Sequence, residues 1–467
     1  MNRLWLPVVV AALLAGLVGR PASAADAPNI VLILADDLGW TDLACMGSEY
    51  YETPNIDRLA QQGVTLQSFY VCQNCAPTRA ALISGQYAPR TGIYTVGTFE
   101  RGREEDRGMI PPENRRNLPT DKVALAQALK NAGYVTGMFG KWHLGNSQEH
   151  HPLQRGFDEA LVSNGRHFKF RTIPRTPAPA DDEYLADFLT DRAVDFIDRH
   201  REDRFFLYLP HFAVHVPLQA KPDLIARYRA KAGVGGHNDP VYAAMIHSVD
   251  ESVGRVMDAL DRNGLTDNTL LIFTSDNGGV GGYRVPGTEE RKGTTDNAPL
   301  RGGKGMLYEG GVRVPFIARW PGHIPAGSEA EAPVVHVDLY PTFVDVAGGT
   351  LPEGYTLDGT SAVEVLTNPT AAHERPPIYW HFPGYLESYI EEDVWRTTPV
   401  SVIRDGNFKL LEFFEDDRLE LYNLGEDIGE EHDLAEEMPE KSRELHEKLK
   451  AWRAETGALM ARKKENE

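Results

Sequence analysis

The residues of this chain that could do chemistry stand where apolar runs end. "NIVLILADD" (29–37) closes on Asp36-Asp37, and "TLLIFTSDNGG" (269–279) carries Asp276-Asn277. Taken singly, Asp37 or Asp276 reads as a helix cap or turn residue. If the two runs are parallel neighbours, three carboxylates and an amide oxygen converge, and like charges that close need a cation. Oxygen ligands without histidine or thiolate suit a hard ion, Ca²⁺ or Mg²⁺, rather than Zn²⁺. "YVTGMFGKWH" (134–143) ends in Lys141 and His143, and "RFFLYLPHFAVH" (204–215) ends in His215, adding positive charge and proton-transfer capacity beside that ion. Lys304 lies in "PLRGGKGMLYEGG", where glycine lets the backbone approach a ligand closely.

One thiol falls in a special context. Cys45, Cys72 and Cys75 are an odd number and too few to staple a chain of 467 residues. Cys72 and Cys75 together could form a Cys-x-x-Cys redox or metal pair, but no thioredoxin-like context surrounds them. Pro77 suits the first turn of a helix that "TRAALISG" continues to Gly85, which sets Cys75 at or beside the cap. The free N–H groups and dipole there attract anions, and Arg79 adds a fixed charge one turn inside. Such a site is built for an oxyanion.

The elements that must hold these groups alternate along the chain. Helical patterns at 121–134, 182–200 and 240–264 precede the second, third and fourth apolar runs, the rhythm of a parallel α/β sheet. In such sheets ligands collect beyond the carboxyl ends of the strands, where the groups above lie. Past residue 372 the pattern changes to strands turning at Asp405-Gly406 and then a helix over "MPEKSRELHEKLKAWRAET", predicting a small antiparallel sheet with a covering helix. The organisation read is 1–24 signal peptide, 25–372 catalytic domain and 373–467 α+β subdomain. At the start, a charged Met1-Asn2-Arg3, a short apolar run Leu4 to Val18 and Ala22-Ser23-Ala24 make a secretory signal. As a membrane anchor the run falls short of the ~20 residues a span needs. The expected location is therefore secreted or periplasmic, with no stable membrane span after cleavage. A net charge of −20 makes nucleic acid and anionic membrane unsuitable partners.

Cys75-Ala-Pro-Thr-Arg79 resembles the Cys-x-Pro-x-Arg maturation motif of the type I sulfatases, within the alkaline-phosphatase-like superfamily. The likeness runs through "NIVLILADDLGW", "TPNIDRLAQQGV", "GKWHLG", "TLLIFTSDNGG" and "LRGGKGMLYEGGVRVPFIARWPG". It implies an α/β fold with a large, mostly parallel mixed sheet sandwiched by helices, and a small C-terminal antiparallel sheet plus helix. It implies that a formylglycine-generating maturase oxidises Cys75 to Cα-formylglycine, whose hydrate is the nucleophile. It further implies that Asp36, Asp37, Asp276, Asn277 and the residue made from Cys75 hold Ca²⁺, with Mg²⁺ as the other hard ion. Arg79 and His143 would support the hydrate, Lys141 and Lys304 would grip sulfate, and His215 would protonate the leaving alcohol. The activity implied is hydrolysis of a sulfated small molecule or saccharide, aryl sulfates included. Val214-His215-Val216-Pro217 departs from the family's Pro-His-x-Pro at one flank, and the alignment of Ser163 is not fixed. The Tyr379-Trp380-His381-Phe382 cluster reads as core or as substrate contact, and 165–175, rich in aromatics and cations, as solvated loop or sugar-receiving segment. Two competing readings are a phosphomonoester or phosphonate hydrolase of the same superfamily, and a non-catalytic glycan-binding protein were Cys75 left unmatured. Two-metal phosphatases want histidine ligands and a serine or threonine nucleophile, which these strand ends lack.

Overall fold

The computed structural model describes residues 27–99, 101–391 and 394–464. The signal peptide expected at 1–24 lies outside the described residues. Among them, no helix is long and apolar enough to cross a membrane.

The strand Asn29–Ala35 is buried along its whole length because it runs through the middle of an eight-stranded sheet. Parallel neighbours flank it, Phe205–Pro210 on one side and Thr269–Ser275 on the other. Val135–Gly140 and Glu159–Val162 continue the sheet in parallel beyond Phe205–Pro210. Beyond Thr269–Ser275, Phe316–Arg319 pairs antiparallel, followed by Val64–Leu66 and Ser328–Ala330. The fold is therefore α/β with a mixed, mostly parallel sheet.

Alternation along the central strand divides the core into two layers. Ile30, Leu32 and Leu34 point to one face, where the helices Cys75–Ser84, Leu125–Asn131 and Leu339–Val346 pack. Val31, Ile33 and Ala35 point to the other, against Leu185–Arg199 and Pro240–Arg262. The helix expected over 121–134 is only Leu125–Asn131, because 119–124 forms a turn (Lys122 N–H to the Pro119 carbonyl, 3.1 Å) and Gly133 adopts φ 89°.

The C-terminal strands Ile378–Phe382, Val400–Asp405, Phe408–Phe413 and Arg418–Asn423 form an antiparallel sheet covered by the helix Pro439–Thr456. Trp380, His381 and Phe382 are buried there, and the Trp380 indole N–H donates to the Val71 carbonyl at 2.7 Å. Their aromatic surface belongs to the core.

Candidate active site

Register brings the two acidic strand ends together. Ala35 pairs with Ser275, so Asp36 and Asp276 follow side by side. The Asp276 N–H donates to the Ala35 carbonyl at 3.2 Å, and the Asp37 N–H to Asp276 Oδ1 at 3.2 Å. On the other flank the segment after Phe205–Pro210 bonds back to Asp36 through its N–H and carbonyl, at 3.0 and 2.8 Å, which carries His215 to the same edge. Asp37 and His143 both hold positive φ, 65° and 64°, a costly backbone that clusters at functional sites.

Three carboxylates meet three cations in this space. Asp276 Oδ2 accepts from Arg79 Nε at 2.9 Å and pairs with Nη2 at 2.8 Å; Asp36 Oδ2 pairs with Arg79 Nη2 at 3.2 Å and with Lys141. Asp37 Oδ2 accepts from Lys304 Nζ at 2.6 Å, and Asp37 Oδ1 from the Asn277 amide at 2.8 Å. Burial opposes ionisation of Asp36, but Lys141, His215, Arg79 and Lys304 overcome it and hold its carboxyl well below the usual range. Asp276 goes the other way, pushed up by burial and by the adjacent Asp36 charge. Asp37 pulls the Lys304 ammonium up against burial, as Asp36 does Lys141.

Cys75 is the first residue of the helix Cys75–Ser84, all of it buried, with Asn74 at the cap and Gly85 closing it at φ 67°. In the first turn the N–H groups have no intrahelical acceptor. The Cys75 thiol is 3.4 Å from His143 Nδ1. Burial, Lys141 and Arg79 push the His143 imidazole down to about 3, so it is neutral at physiological pH. Arg79, fully buried one turn inside, also donates to the Lys141 carbonyl at 2.6 Å. Cys72 Sγ instead meets His336 Nε2 at 3.3 Å, and all three cysteines are free, so no disulfide joins Cys72 to Cys75.

The donor set fits a hard cation. Asp36 Oδ1 and Asn277 Oδ1 are buried without a hydrogen-bond partner, and Asp36, Cys75 and Asp276 offer ligand atoms within 4.8 Å of one another. Asp36, Asp37 and His215 form a second such group, with His215 Nε2 3.8 Å from Asp37 Oδ2. His215 Nδ1 lies 2.7 Å from the Val216 carbonyl; donating there leaves Nε2 facing the carboxylates.

All ten residues singled out from sequence, Asp36, Asp37, Cys75, Arg79, Lys141, His143, His215, Asp276, Asn277 and Lys304, thus gather at one edge of the sheet. Ser163 does not join them; its hydroxyl donates to the Arg171 carbonyl at 2.8 Å. Sequence reasoning missed the residues that hold the glycine-rich loop. The Asn297 amide reaches the carbonyls of Gly279, Gly281 and Gly302 at 3.0–3.2 Å, and the Tyr283 hydroxyl donates to the Lys304 carbonyl at 2.9 Å. A Cβ at Gly303 would lie 2.2 Å from the Gly281 carbonyl oxygen, so only glycine permits this approach. It missed His167 too, whose Nε2 donates to the His215 carbonyl at 2.8 Å; its place in the aromatic-cationic 165–175 segment was the one available signal.

This fold and its oxyanion-seeking edge define a hydrolase class that the comparisons identify. Residues 28–349 match the sulfatase family model, and residues 303–455 match the model described as N-sulphoglucosamine sulphohydrolase, C-terminal. A sulfatase of Formosa agariphila is 37% identical over 506 aligned positions, covering 91% of this chain and 88% of that protein. The human N-acetylgalactosamine-6-sulfatase is 33% identical over 376, covering 76% and 68%. Among solved structures, Ps i-CgsB in complex with k-i-k-neocarrahexaose superposes with a TM-score of 0.76 at 31% identity, covering 91% and 92%. The chain belongs to the sulfatase family, and it is a sulfuric ester hydrolase.

Proposed function

We propose that this protein is an exported sulfatase that removes sulfate from sulfated carbohydrates, with Cys75 matured to formylglycine and Ca²⁺ held by Asp36, Asp37, Asp276 and Asn277. The observation that carries the reading is the setting of Cys75, buried at a helix N-terminus, facing His143, among Asp36, Asp276, Lys141 and Arg79. When present, the two groups would supply a hydrated aldehyde as nucleophile toward sulfur and a cation that offsets the gathered negative charge. Arg79 neutralises Asp36 and Asp276 and fixes the helix that presents residue 75. Neutral His143 accepts a hydrogen bond from whatever hydroxyl replaces the thiol. Lys141 and Lys304 are buried cations suited to sulfate oxygens, within a shell where water competes poorly. His215, with Nδ1 donating to Val216, directs Nε2 to the edge where the leaving oxygen would sit; only as an imidazolium, which burial opposes and Asp37 and Asp36 favour, would it hand that oxygen the Nε2 proton.

A saccharide substrate is supported by the names of its relatives, an N-acetylgalactosamine-6-sulfatase and a structure bound to a neocarrahexaose. The domain organisation of 25–372 and 373–467, and export by the 1–24 signal, belong to the same proposal. Sulfate release from defined sulfated saccharides tests it: turnover of at least one is expected, and inactivity on every sulfate ester alongside activity on phosphate esters or phosphonates would overturn it.

A further inference from the structure

Four cations and no acid occupy residues 166–175, in a chain of net charge −20. All four, Arg166, Lys169, Arg171 and Arg175, are exposed. Of these, among the described residues, only Lys169 has an ion pair, with exposed Asp181 at 3.5 Å. Fixed anchors hold the segment against the sheet. Val162 and Ile173 exchange backbone hydrogen bonds at 2.8 and 2.9 Å, and the Ser163 hydroxyl donates to the Arg171 carbonyl. Phe170 and Thr172 are buried, the Phe170 ring 5.0 Å from that of Phe188, and the Thr176 N–H donates to Thr172 Oγ1 at 2.9 Å. Alternation therefore turns Lys169, Arg171 and Ile173 outward. Lys169, Arg171 and Arg175 line one cleft of about 440 Å³, within the ~300–1,000 Å³ usual for small-ligand sites, and Asp181 is the one acid among its lining residues.

The segment borders the candidate site at two points. His167, the residue after Arg166, donates from Nε2 to the His215 carbonyl at 2.8 Å. Ser163, which holds Arg171, donates its own N–H to the carbonyl of Gly140, the residue before Lys141, at 3.0 Å. Because His215 faces the leaving oxygen in the proposed reaction, the alcohol part of the ester lies on the side of the site that this segment borders.

We infer that this cationic strip binds the saccharide chain beyond the ester being cleaved, and that the chain is a polyanion carrying several sulfates. The inference rests on the sulfated-carbohydrate reading and deepens it. A single sulfate needs only the buried cations Lys141 and Lys304, whereas a row of exposed arginines without carboxylate partners is matched by a row of anions. A protein of net charge −20 repels a polyanion overall, so contact has to be made through a local positive surface.

The test compares the double variant Arg171→Gln/Arg175→Gln with the parent and with Lys441→Gln/Lys450→Gln, which removes equal charge from the C-terminal helix Pro439–Thr456. Binding of dextran sulfate, with neutral dextran as the blank, is read by calorimetry at low and at physiological salt. Turnover is read on a polysulfated tetrasaccharide and on nitrophenyl sulfate. The strip variant should lose about twofold to 30-fold in affinity for dextran sulfate, the worth of two exposed charge contacts, and less at higher salt. Its KM on the tetrasaccharide should rise by as much, with kcat/KM on nitrophenyl sulfate unchanged. Arg171→Lys/Arg175→Lys should keep most of the binding. Unchanged affinity, an equal loss in the helix variant, a parallel loss on nitrophenyl sulfate, or tighter binding of a DNA duplex than of dextran sulfate overturns the strip and leaves the sulfatase reading standing. Dextran sulfate binding that depends on the strip, in a protein that releases sulfate from no saccharide, would keep the surface and count against the carbohydrate reading alone.

Discussion

Lys409→Met removes the cation at the centre of a fully buried ion cluster that ties the C-terminal sheet to the loop after Lys304. Lys409 Nζ pairs with Glu309 at 2.9 Å and Glu430 at 2.8 Å, and all three side chains are 0% exposed. Glu309 opens the short helix Glu309–Val312, accepts from the Tyr70 hydroxyl at 2.7 Å, and its N–H donates to Glu430 Oε2 at 2.7 Å. Methionine fills the lysine's volume but leaves two buried carboxylates together, with Arg313, 3.4 Å from Glu309, as the remaining ion-pair partner. Breaking such a pair costs about 3–5 kcal/mol. With an unfolding entropy of about 2.1 cal/mol/K per residue over 467 residues, that is a fall in Tm of about 3–5 °C. The pH dependence has a definite sign. Burial opposes the Glu309 charge, but Lys409, Arg313 and Arg404 hold its carboxyl down at about 2 against an ordinary 4.5. Its contribution is thus full above 4.5 and lost as pH falls toward 2. Glu430, raised by burial to about 7, weakens the fold as pH rises through that value. Without Lys409 both carboxyls rise, so acid should stabilise the variant relative to the parent. Calorimetry from pH 7.5 to 4 should show the largest Tm gap at pH 7.5, narrowing toward pH 4. An unchanged Tm at pH 7.5, or a gap that widens in acid, would refute the reasoning.

Asp276→Asn keeps the side chain's shape beside Arg79 and should weaken Ca²⁺ binding at least about tenfold by calorimetry, with sulfatase activity falling in parallel; parental activity after exhaustive chelation would remove the metal from the scheme. His215→Ala should cost about 10²–10⁴ in kcat/KM on a saccharide sulfate and far less on nitrophenyl sulfate, whose leaving group departs without a proton. An equal loss on both counts against a proton donor at this position.

The ends of the buried strands were the most legible part of this sequence, because an unbroken apolar run followed by Asp-Asp or Asp-Asn shows both where a central strand stops and what it presents. The parallel pairing of Asn29–Ala35 with Thr269–Ser275 had to be assumed, since residues 240 positions apart share no local pattern. The helix at Cys75 was readable from Pro77 and Gly85, although it starts two residues before the proline. Strands such as Val64–Leu66 and Ser328–Ala330 were not read, being too short for any period to register. Lys409 looked like an ordinary strand residue, and only the fold sets its ammonium against Glu309 and Glu430.

The most direct measurement is mass spectrometry of the tryptic peptide spanning Cys75, taken from fully active protein made in a host with the maturase. Formylglycine there should give a peptide lighter than the thiol form and reactive with hydrazides. Cys75→Ser, which cannot be converted by a cysteine-type maturase, should be nearly inactive and show no such mass. An unmodified thiol at Cys75 in active protein would contradict the proposed nucleophile and put the phosphatase-like reading ahead.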